Sequence, residues 1–229
     1  MSSIITRLVT RYRPQPSSQG AGTAVPSRVL LGWYARKGAA AAVRGFVRRT
    51  LLGSAVLPLF IGRDVRIDYA RRLRVGRAVQ IGSGSMINAF STEGVHLADG
   101  VTIRENAWIQ CTSHPGNPGV GLSVGPRTYI GPGSVIGPAG RIDIGARCQI
   151  GARATLIAEN HAVIDGVPSP TEVIREGIRI GDGCWLGHGV TILDGVVLGD
   201  NCVVGAGAVV TKSFPAGSRL VGIPARAIE

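Results

Sequence analysis

Among the residues of this chain that could do chemistry, one histidine stands out by its position. His161 ends the run LIAENH (156–161) and directly precedes a stretch, 162–177, that interrupts an otherwise regular pattern. An imidazole titrates near neutrality, so it can take a proton from a hydroxyl or an amine as that group attacks an acyl carbon. We therefore predict that His161 is a general base; the alternative is an ordinary surface histidine.

Cysteines and the remaining histidines give no metal motif. The four histidines are separated by 18, 47 and 27 residues, and none of the four cysteines forms a CxxC pair. Structural and catalytic zinc sites use ligands at shorter, characteristic spacings. We predict no metal, and we assign no role to His96.

The element that must position these residues is a six-residue repeat. From Ile180 an aliphatic residue returns at every sixth position, and a second inward candidate, usually small, follows each after four. This period is neither helical nor a simple alternation. It fits short strands with two inward side chains, joined by corners where glycine adopts a backbone conformation that other residues resist. Three strands would form one triangular coil, and stacked coils would bury an aliphatic column. An ordinary all-β domain with many turns is the alternative.

His114 can be placed relative to His161 through this repeat. It lies five residues after Ile109, as His161 lies five after Leu156. Once the interruptions are removed, Ile109 and Leu156 are six hexads or two coils apart, which puts the two histidines about 10 Å apart on one face. We predict that His114 contacts an acceptor molecule; the alternative is an unrelated loop histidine.

This pattern resembles the [LIV]-G-x-x-[small]-x repeat of the hexapeptide-repeat acyltransferases. The resemblance covers about residues 62–229 and is clearest over 180–228. It implies an all-β fold, a left-handed parallel β-helix, with a short N-terminal helical segment. His161 stands 24 residues before Trp185-Leu186-Gly187, the place of the catalytic histidine before the W-[IL]-G motif in maltose- and galactoside-type sugar acetyltransferases. The resemblance thus implies that His161 is the base, and we predict an acceptor contact at Asn160.

The same resemblance implies acetyl-CoA as the co-substrate and a homotrimer with its sites in the grooves between subunits. His188 replaces a serine that lies near the thioester in galactoside acetyltransferases. The other positions implied for coenzyme A are Trp185, Gly187, Ala206, Gly207, Thr211, Lys212 and Arg226.

The acceptor is left open by departures from the sugar acetyltransferases. The segment 137–141 (GPAGR) lacks the acceptor-binding Asp of the galactoside enzymes, and with the basic N-terminal helix it looks more like polysaccharide or glycolipid O-acetyltransferases. The acceptor group is a hydroxyl or an amine. A scaffold without catalysis and a γ-type carbonic anhydrase are the alternatives. The histidine separations argue against the second, which needs two zinc histidines close together.

Positive charge is concentrated at the N-terminus. Residues 1–74 hold 14 Lys/Arg and 2 Asp/Glu, and the remainder holds 11 and 12. We predict a mobile basic tail over 1–27, and a helical segment over 28–60 that either caps the β-helix or lies on a membrane surface. The β-helix would occupy 61–229, with loops at 88–96, 111–123 and 162–177.

Location and partners follow from the same features. No nucleic-acid motif accompanies the basic segment, and we predict no nucleic-acid partner. No signal peptide is recognisable, which favours a cytoplasmic location, at the inner face of the membrane if the helical segment binds there.

Overall fold

The protein is described by a computed structural model that covers residues 27–112 and 116–228, with side chains from residue 38 onward apart from Pro170. The tail predicted over 1–27 lies outside the described residues except for Ser27, and His114 lies outside them too. Two compact units divide after Arg36, and the β-helix belongs to the second. Within the described residues, no helix is long and apolar enough to cross a membrane.

The N-terminal helix is shorter than the predicted 28–60. Helix α1 spans Ser27–Arg48, and a single 3-10 turn, Arg49–Leu51, follows it. Beyond this turn the backbone pairs with the next coil instead, since the Gly53 amide donates to the Leu73 carbonyl at 3.0 Å.

The second half of α1 lies across the first coil of the β-helix. Arg44 Nε donates to the carbonyl of Ile61 at 2.8 Å, and Arg48 Nη1 donates to that of Val65 at 2.7 Å. Gly45 lets the helix approach closely, because a Cβ there would overlap the Leu59 carbonyl. The first coil has no preceding coil to pair with, so the arginines serve exposed backbone acceptors. Both arginine side chains therefore point towards the first coil.

The repeats build a left-handed parallel β-helix with three long sheets. Sheet A contains β1 (Ser54–Ala55), β4 (Leu73–Val75), β7 (Ser91–Leu97), β10 (Gly119–Val124), β13 (Arg141–Ile144), β18 (Ile178–Ile180) and β21 (Val197–Leu198). Sheet B contains β2 (Leu59–Ile61), β5 (Val79–Ile81), β8 (Thr102–Ile103), β11 (Tyr129–Ile130), β14 (Gln149–Ile150), β19 (Trp185–Leu186), β22 (Val203–Val204), β24 (Arg219–Val221) and the antiparallel β25 (Arg226–Ile228). Sheet C contains β3 (Arg66–Asp68), β6 (Met86–Asn88), β9 (Trp108–Gln110), β12 (Val135–Gly137), β15 (Thr155–Ile157), β20 (Thr191–Ile192) and β23 (Val209–Val210).

The predicted inward positions form the core. The aliphatic residues stack in register from coil to coil, as when Ile180 pairs with Ile144 on one side and Leu198 on the other. Ile109 and Leu156 lie two coils apart with Ile136 between them, as the hexads predict. The six aliphatic positions predicted from residue 180 are all buried: Ile180, Leu186, Ile192, Leu198, Val204 and Val210.

Glycine has two roles in the corners, and only one was predicted. The glycine directly after the aliphatic residue is required by close packing between coils: a Cβ on Gly151 would lie 2.6 Å from the carbonyl carbon of Gly187. The left-handed conformation occurs two residues later, as at Gly189 (φ 65°) and Gly207 (φ 71°). Asn201 takes the same conformation (φ 58°), which asparagine tolerates better than most residues.

All three predicted interruptions leave the prism at one edge, where sheet C passes to sheet A. They contain more strand than predicted. Strand β7 fills most of 88–96, and β10 begins within 111–123. The third interruption is an antiparallel hairpin of β16 (Asn160–Ile164) and β17 (Val167–Ile174). We call the edge where sheet C passes to sheet A the C–A edge, and we name the A–B and B–C edges in the same way.

Candidate active site

His161 lies on the first strand of the projecting hairpin. It pairs with Val173 across the hairpin, and its ring is exposed. Its Nδ1 lies 2.8 Å from the carbonyl oxygen of Ser169. Because a carbonyl only accepts, Nδ1 must carry the proton and donate it to this bond. In the neutral ring Nε2 is then the unprotonated nitrogen, free to accept a proton from another molecule.

The side chain of Ser169 holds in place the Ser169 carbonyl that accepts this hydrogen bond. Ser169 was not among the site residues predicted from the sequence. Its side chain is buried, and its Oγ accepts from the amides of Thr171 at 3.4 Å and Glu172 at 3.0 Å. These bonds stabilise the bend in β17 that aims the Ser169 carbonyl at the imidazole. The signal available in the sequence was the pair of prolines on either side of Ser169, which restrict the backbone there.

Asn160, the predicted acceptor contact, pairs with Ile174 and is exposed. It immediately precedes His161 on the same strand. Because successive side chains of a strand point to opposite faces, Asn160 and His161 leave the hairpin on opposite sides.

A partly buried ion pair ties down the base of the hairpin. Arg175 Nε donates to Glu159 Oε2 at 2.7 Å, and Arg175 Nη2 lies 2.6 Å from the same oxygen. Arg175 Nη1 also donates to the carbonyl of Pro118 at 3.1 Å. The second interruption, which carries His114, is thereby linked to the hairpin that carries His161. No spacing in the sequence predicted this pair.

The B–C edge carries a corridor of small residues. Gly187, His188, Ala206 and Gly207 come together there, and the Gly207 amide donates to the His188 carbonyl at 2.8 Å. A Cβ on Gly207 would meet nothing within 4 Å, so the surface in front of it is open. The adjoining groove, of about 670 Å³, is lined by Asn106, Pro132, Gly133, Ala152, Arg153, His188 and Gly189.

The other positions implied for coenzyme A are spread around this end of the prism. Trp185 is exposed on the outer face of sheet B, and Arg226 is exposed on β25 beside Val221. Thr211 and Lys212 follow β23 and therefore lie on the C–A edge instead. The Lys212 ammonium lies 5.6 Å from the centre of the Phe214 ring.

His161 and the corridor therefore lie on different edges of one prism, with sheet C between them. They are close in height, since the hairpin leaves the C–A edge between the fifth and sixth coils and His188 belongs to the sixth. Within a single chain, these two groups of predicted site residues do not meet.

The outer face of sheet C is uncharged from β6 to β23. In each of these strands, the residue directly before the buried aliphatic residue points outward. These outward residues are Met86, Trp108, Val135, Thr155, Thr191 and Val209. Sheet A, by contrast, presents Arg74, Asp143 and Arg179 at its outer face. Among the described residues, no group of three or more His, Cys, Asp or Glu could hold a metal ion.

Residues 177–212 match the family model of the bacterial transferase hexapeptide, with six repeats. No curated protein matches the chain. A solved structure with a similar fold is AntD, an N-acyltransferase from Bacillus cereus, in complex with dTDP and 3-hydroxybutyryl-CoA. It is 16% identical, with 81% of this chain and 87% of that chain covered, at a TM-score of 0.56.

Two further structures are similar at lower TM-scores. One is a maltose O-acetyltransferase from Clostridium difficile 630, 22% identical, covering 81% of this chain and 73% of that chain at 0.46. The other is a hexapeptide-repeat-containing acetyltransferase from Vibrio cholerae, 18% identical, covering 90% and 93% at 0.41. The repeat match, together with the three-sheet fold, confirms the predicted resemblance to the hexapeptide-repeat family and the left-handed β-helix.

Proposed function

We propose that the protein is an acyl-CoA-dependent acyltransferase that moves an acetyl group from acetyl-CoA to a hydroxyl or amine of a sugar, polysaccharide or glycolipid. The observation that carries this proposal is the bond from His161 Nδ1 to the Ser169 carbonyl. It leaves Nε2 as a base on an exposed hairpin, beside a prism whose repeats match those of bacterial transferases.

The proposed reaction is a single acyl transfer. His161 Nε2 takes the proton of the acceptor O–H or N–H while the acceptor atom forms a bond to the thioester carbonyl carbon. The carbon–sulfur bond then breaks, and the coenzyme A thiolate leaves with its electron pair. Protonated His161 returns the proton to this sulfur, so the ring is restored and free coenzyme A is released.

The donor would lie along the B–C edge. The open surface in front of Gly207 and the small side chain of Ala206 leave room for an extended pantetheine arm, while Gly187 lets the two coils beside it pack closely. His188 stands at the groove beside them and would face the thioester. Arg226 would meet a phosphate as a two-pronged donor, and Lys212, which lies on the C–A edge, would meet a phosphate of the donor bound to a neighbouring subunit as a point charge.

A homotrimer would bring the two halves of the site together. If three prisms pack their uncharged sheet C faces around a threefold axis, each C–A edge meets the B–C edge of the next subunit. His161 of one chain then faces the corridor of its neighbour at the same height. The exposed Trp108 and the half-buried Val135 on that face would be buried by this packing.

A screen of acceptors tests whether a hydroxyl or an amine receives the acetyl group. Purified protein is supplied with acetyl-CoA and panels of glycan hydroxyls, amino sugars, nucleotide sugars and glycolipids, and release of free thiol is followed. The His161→Ala variant should lose about 10²–10⁴-fold in kcat while its affinity for acetyl-CoA is unchanged. His96→Ala is the matched control, because His96 lies on sheet A and bonds the Glu93 carbonyl at 3.0 Å, away from the hairpin.

Two outcomes would refute the proposal. Failure of the wild-type chain to bind acetyl-CoA or coenzyme A would favour a scaffold without catalysis. A His161→Ala variant with undiminished kcat would show that another group takes the proton.

A further inference from the structure

The outward face of α1 is a patch of large apolar side chains. Val43, Phe46, Val47 and Leu51 are between 54% and 64% exposed. We call these four residues the α1 patch. Soluble proteins seldom leave such a continuous apolar surface bare, and where they do it usually marks a contact with a partner or a membrane.

The orientation of this patch is determined by the contacts on the other side of the helix. Arg44 and Arg48 are held by the carbonyls of Ile61 and Val65, and Gly45 packs on the first coil. Rotating the helix to hide the apolar face would break both charged hydrogen bonds. The exposed apolar face is therefore a built feature of this end of the β-helix.

Charge indicates which kind of surface the patch fits. Residues 1–63 contain ten Lys or Arg and no Asp or Glu, the first acidic residue being Asp64. Arg49 adds a cation at the patch itself, its guanidinium lying 4.4 Å from the centre of the Phe46 ring. An apolar stripe that carries a cation, in a stretch of sequence without acidic groups, suits the boundary between anionic headgroups and acyl chains.

We propose that the α1 patch binds the surface of an anionic lipid bilayer, with Phe46 and its apolar neighbours inserted at the level of the acyl-chain boundary. The helix would lie on the bilayer and not cross it. If the proposed trimer forms, three patches lie at the same end of the assembly, and simultaneous contact would strengthen binding beyond that of one patch. The lipid contact does not otherwise depend on the proposed acyl transfer.

The test is cosedimentation of the full chain with vesicles. Vesicles of phosphatidylcholine alone are compared with vesicles that also contain phosphatidylglycerol. The wild-type chain should sediment with the anionic vesicles and stay largely in solution with the neutral ones. Phe46→Glu places a charge at the centre of the patch and should weaken binding about tenfold or more. Val197→Glu is the matched control. Val197, like Phe46, is an exposed apolar residue, but it lies on sheet A in the seventh coil, so its replacement should leave binding unchanged.

A milder double variant, Val43→Ser with Val47→Ser, guards against misfolding and should also reduce sedimentation. Light scattering of each variant reports whether the oligomer is intact. The proposal is overturned if the wild-type chain ignores anionic vesicles, if it binds neutral vesicles equally well, or if Phe46→Glu changes the oligomeric mass and so reveals a protein interface. None of these readings requires enzymatic activity, so failure of the proposed function would be seen separately.

Discussion

Arg175 offers the sharpest test of how the hairpin presents His161. Its side chain is 17% exposed and that of Glu159 is 29% exposed, so solvent screens this pair less than a surface ion pair. Replacement by Met keeps the length of the side chain but removes the contacts to Glu159 and to the Pro118 carbonyl. Because Arg175 touches neither the imidazole nor the corridor, it is a positioning residue.

The expected loss of kcat is estimated from the hydrogen bonds that Arg175→Met removes. A hydrogen bond to a charged group contributes about 1.5–3 kcal/mol, and the lower end applies because Glu159 keeps some access to water. A loss of about 1.5 kcal/mol shifts the balance between held and released hairpin about tenfold. We therefore expect Arg175→Met to lower kcat by up to roughly tenfold, with an unchanged KM for acetyl-CoA. Arg175→Lys, which keeps the charge, should recover part of this loss.

The assay combines steady-state kinetics with hydrogen exchange. Amides of 160–174 should exchange faster in Arg175→Met, while those of the coils stay protected. Arg141→Met is the matched control: Arg141 sits on the adjoining strand, and its side chain pairs with Asp143 and with Glu93 of the first interruption instead of with residues 111–123 or 162–177. Unchanged exchange and kcat in Arg175→Met, or an equal loss in Arg141→Met, would refute the reasoning.

Three further predictions concern the donor, the cysteines and the corners. Arg226→Ala should raise the KM for acetyl-CoA about tenfold or more by removing a charged phosphate contact, and a donor without the 3′-phosphate should show almost no difference between variant and wild type. All four cysteines are buried and free, so a thiol reagent should detect none in native protein and four per chain in denaturant. Gly125→Ala should destabilise the fold by about 1–3 kcal/mol, since its Cβ would lie 2.6 Å from the Ala146 amide nitrogen. Gly217→Ala, at positive φ but in open space, should cost only about 1 kcal/mol; equal unfolding midpoints for these two variants would contradict the two roles of glycine.

The core was predictable because its signal is local and repeated. Each hexad shows which side chain points inward, and the same position points inward in every stacked coil, as at Ile109, Ile136 and Leu156. The role of glycine was less accessible. A sequence shows that Gly187 follows Leu186, but not that the next coil passes so close that a Cβ would lie 2.5 Å from the Ala206 amide nitrogen.

Features that depend on contacts with distant parts of the backbone could not be predicted from the sequence in the same way. Strand β7 looks irregular because Gly94 (φ 86°) disturbs its hexad, yet it pairs with strands on both sides. The arginines of α1 suggest a polar outer face until their acceptors, carbonyls 17 residues away, are known. The same holds for the hairpin of the candidate site: the sequence shows that His161 lies at its start, but not that the Ser169 carbonyl selects the tautomer of the ring.

The separation of base and corridor on two edges makes a prediction about mixed assemblies. Three properties of the prism lead to it: insertions on the C–A edge leave the columns in register, the corridor runs along the B–C edge, and sheet C between them is uncharged. If each site takes His161 from one chain and the corridor from its neighbour, two different defects can be separated. His161→Ala removes the base, and Ala206→Trp fills the corridor with a large side chain; each alone should be nearly inactive.

Coexpression of these two chains should restore activity. In randomly mixed trimers, a site is intact when its histidine comes from the Ala206→Trp chain and its corridor from the His161→Ala chain, which occurs for about one site in four. Recovery near a quarter of wild-type kcat per chain, in particles whose mass by light scattering is that of a trimer, is the expected result. If both halves of the site belonged to one chain, every chain in the mixture would carry one defect and no activity would return. A stable monomer with full activity would likewise contradict the shared site.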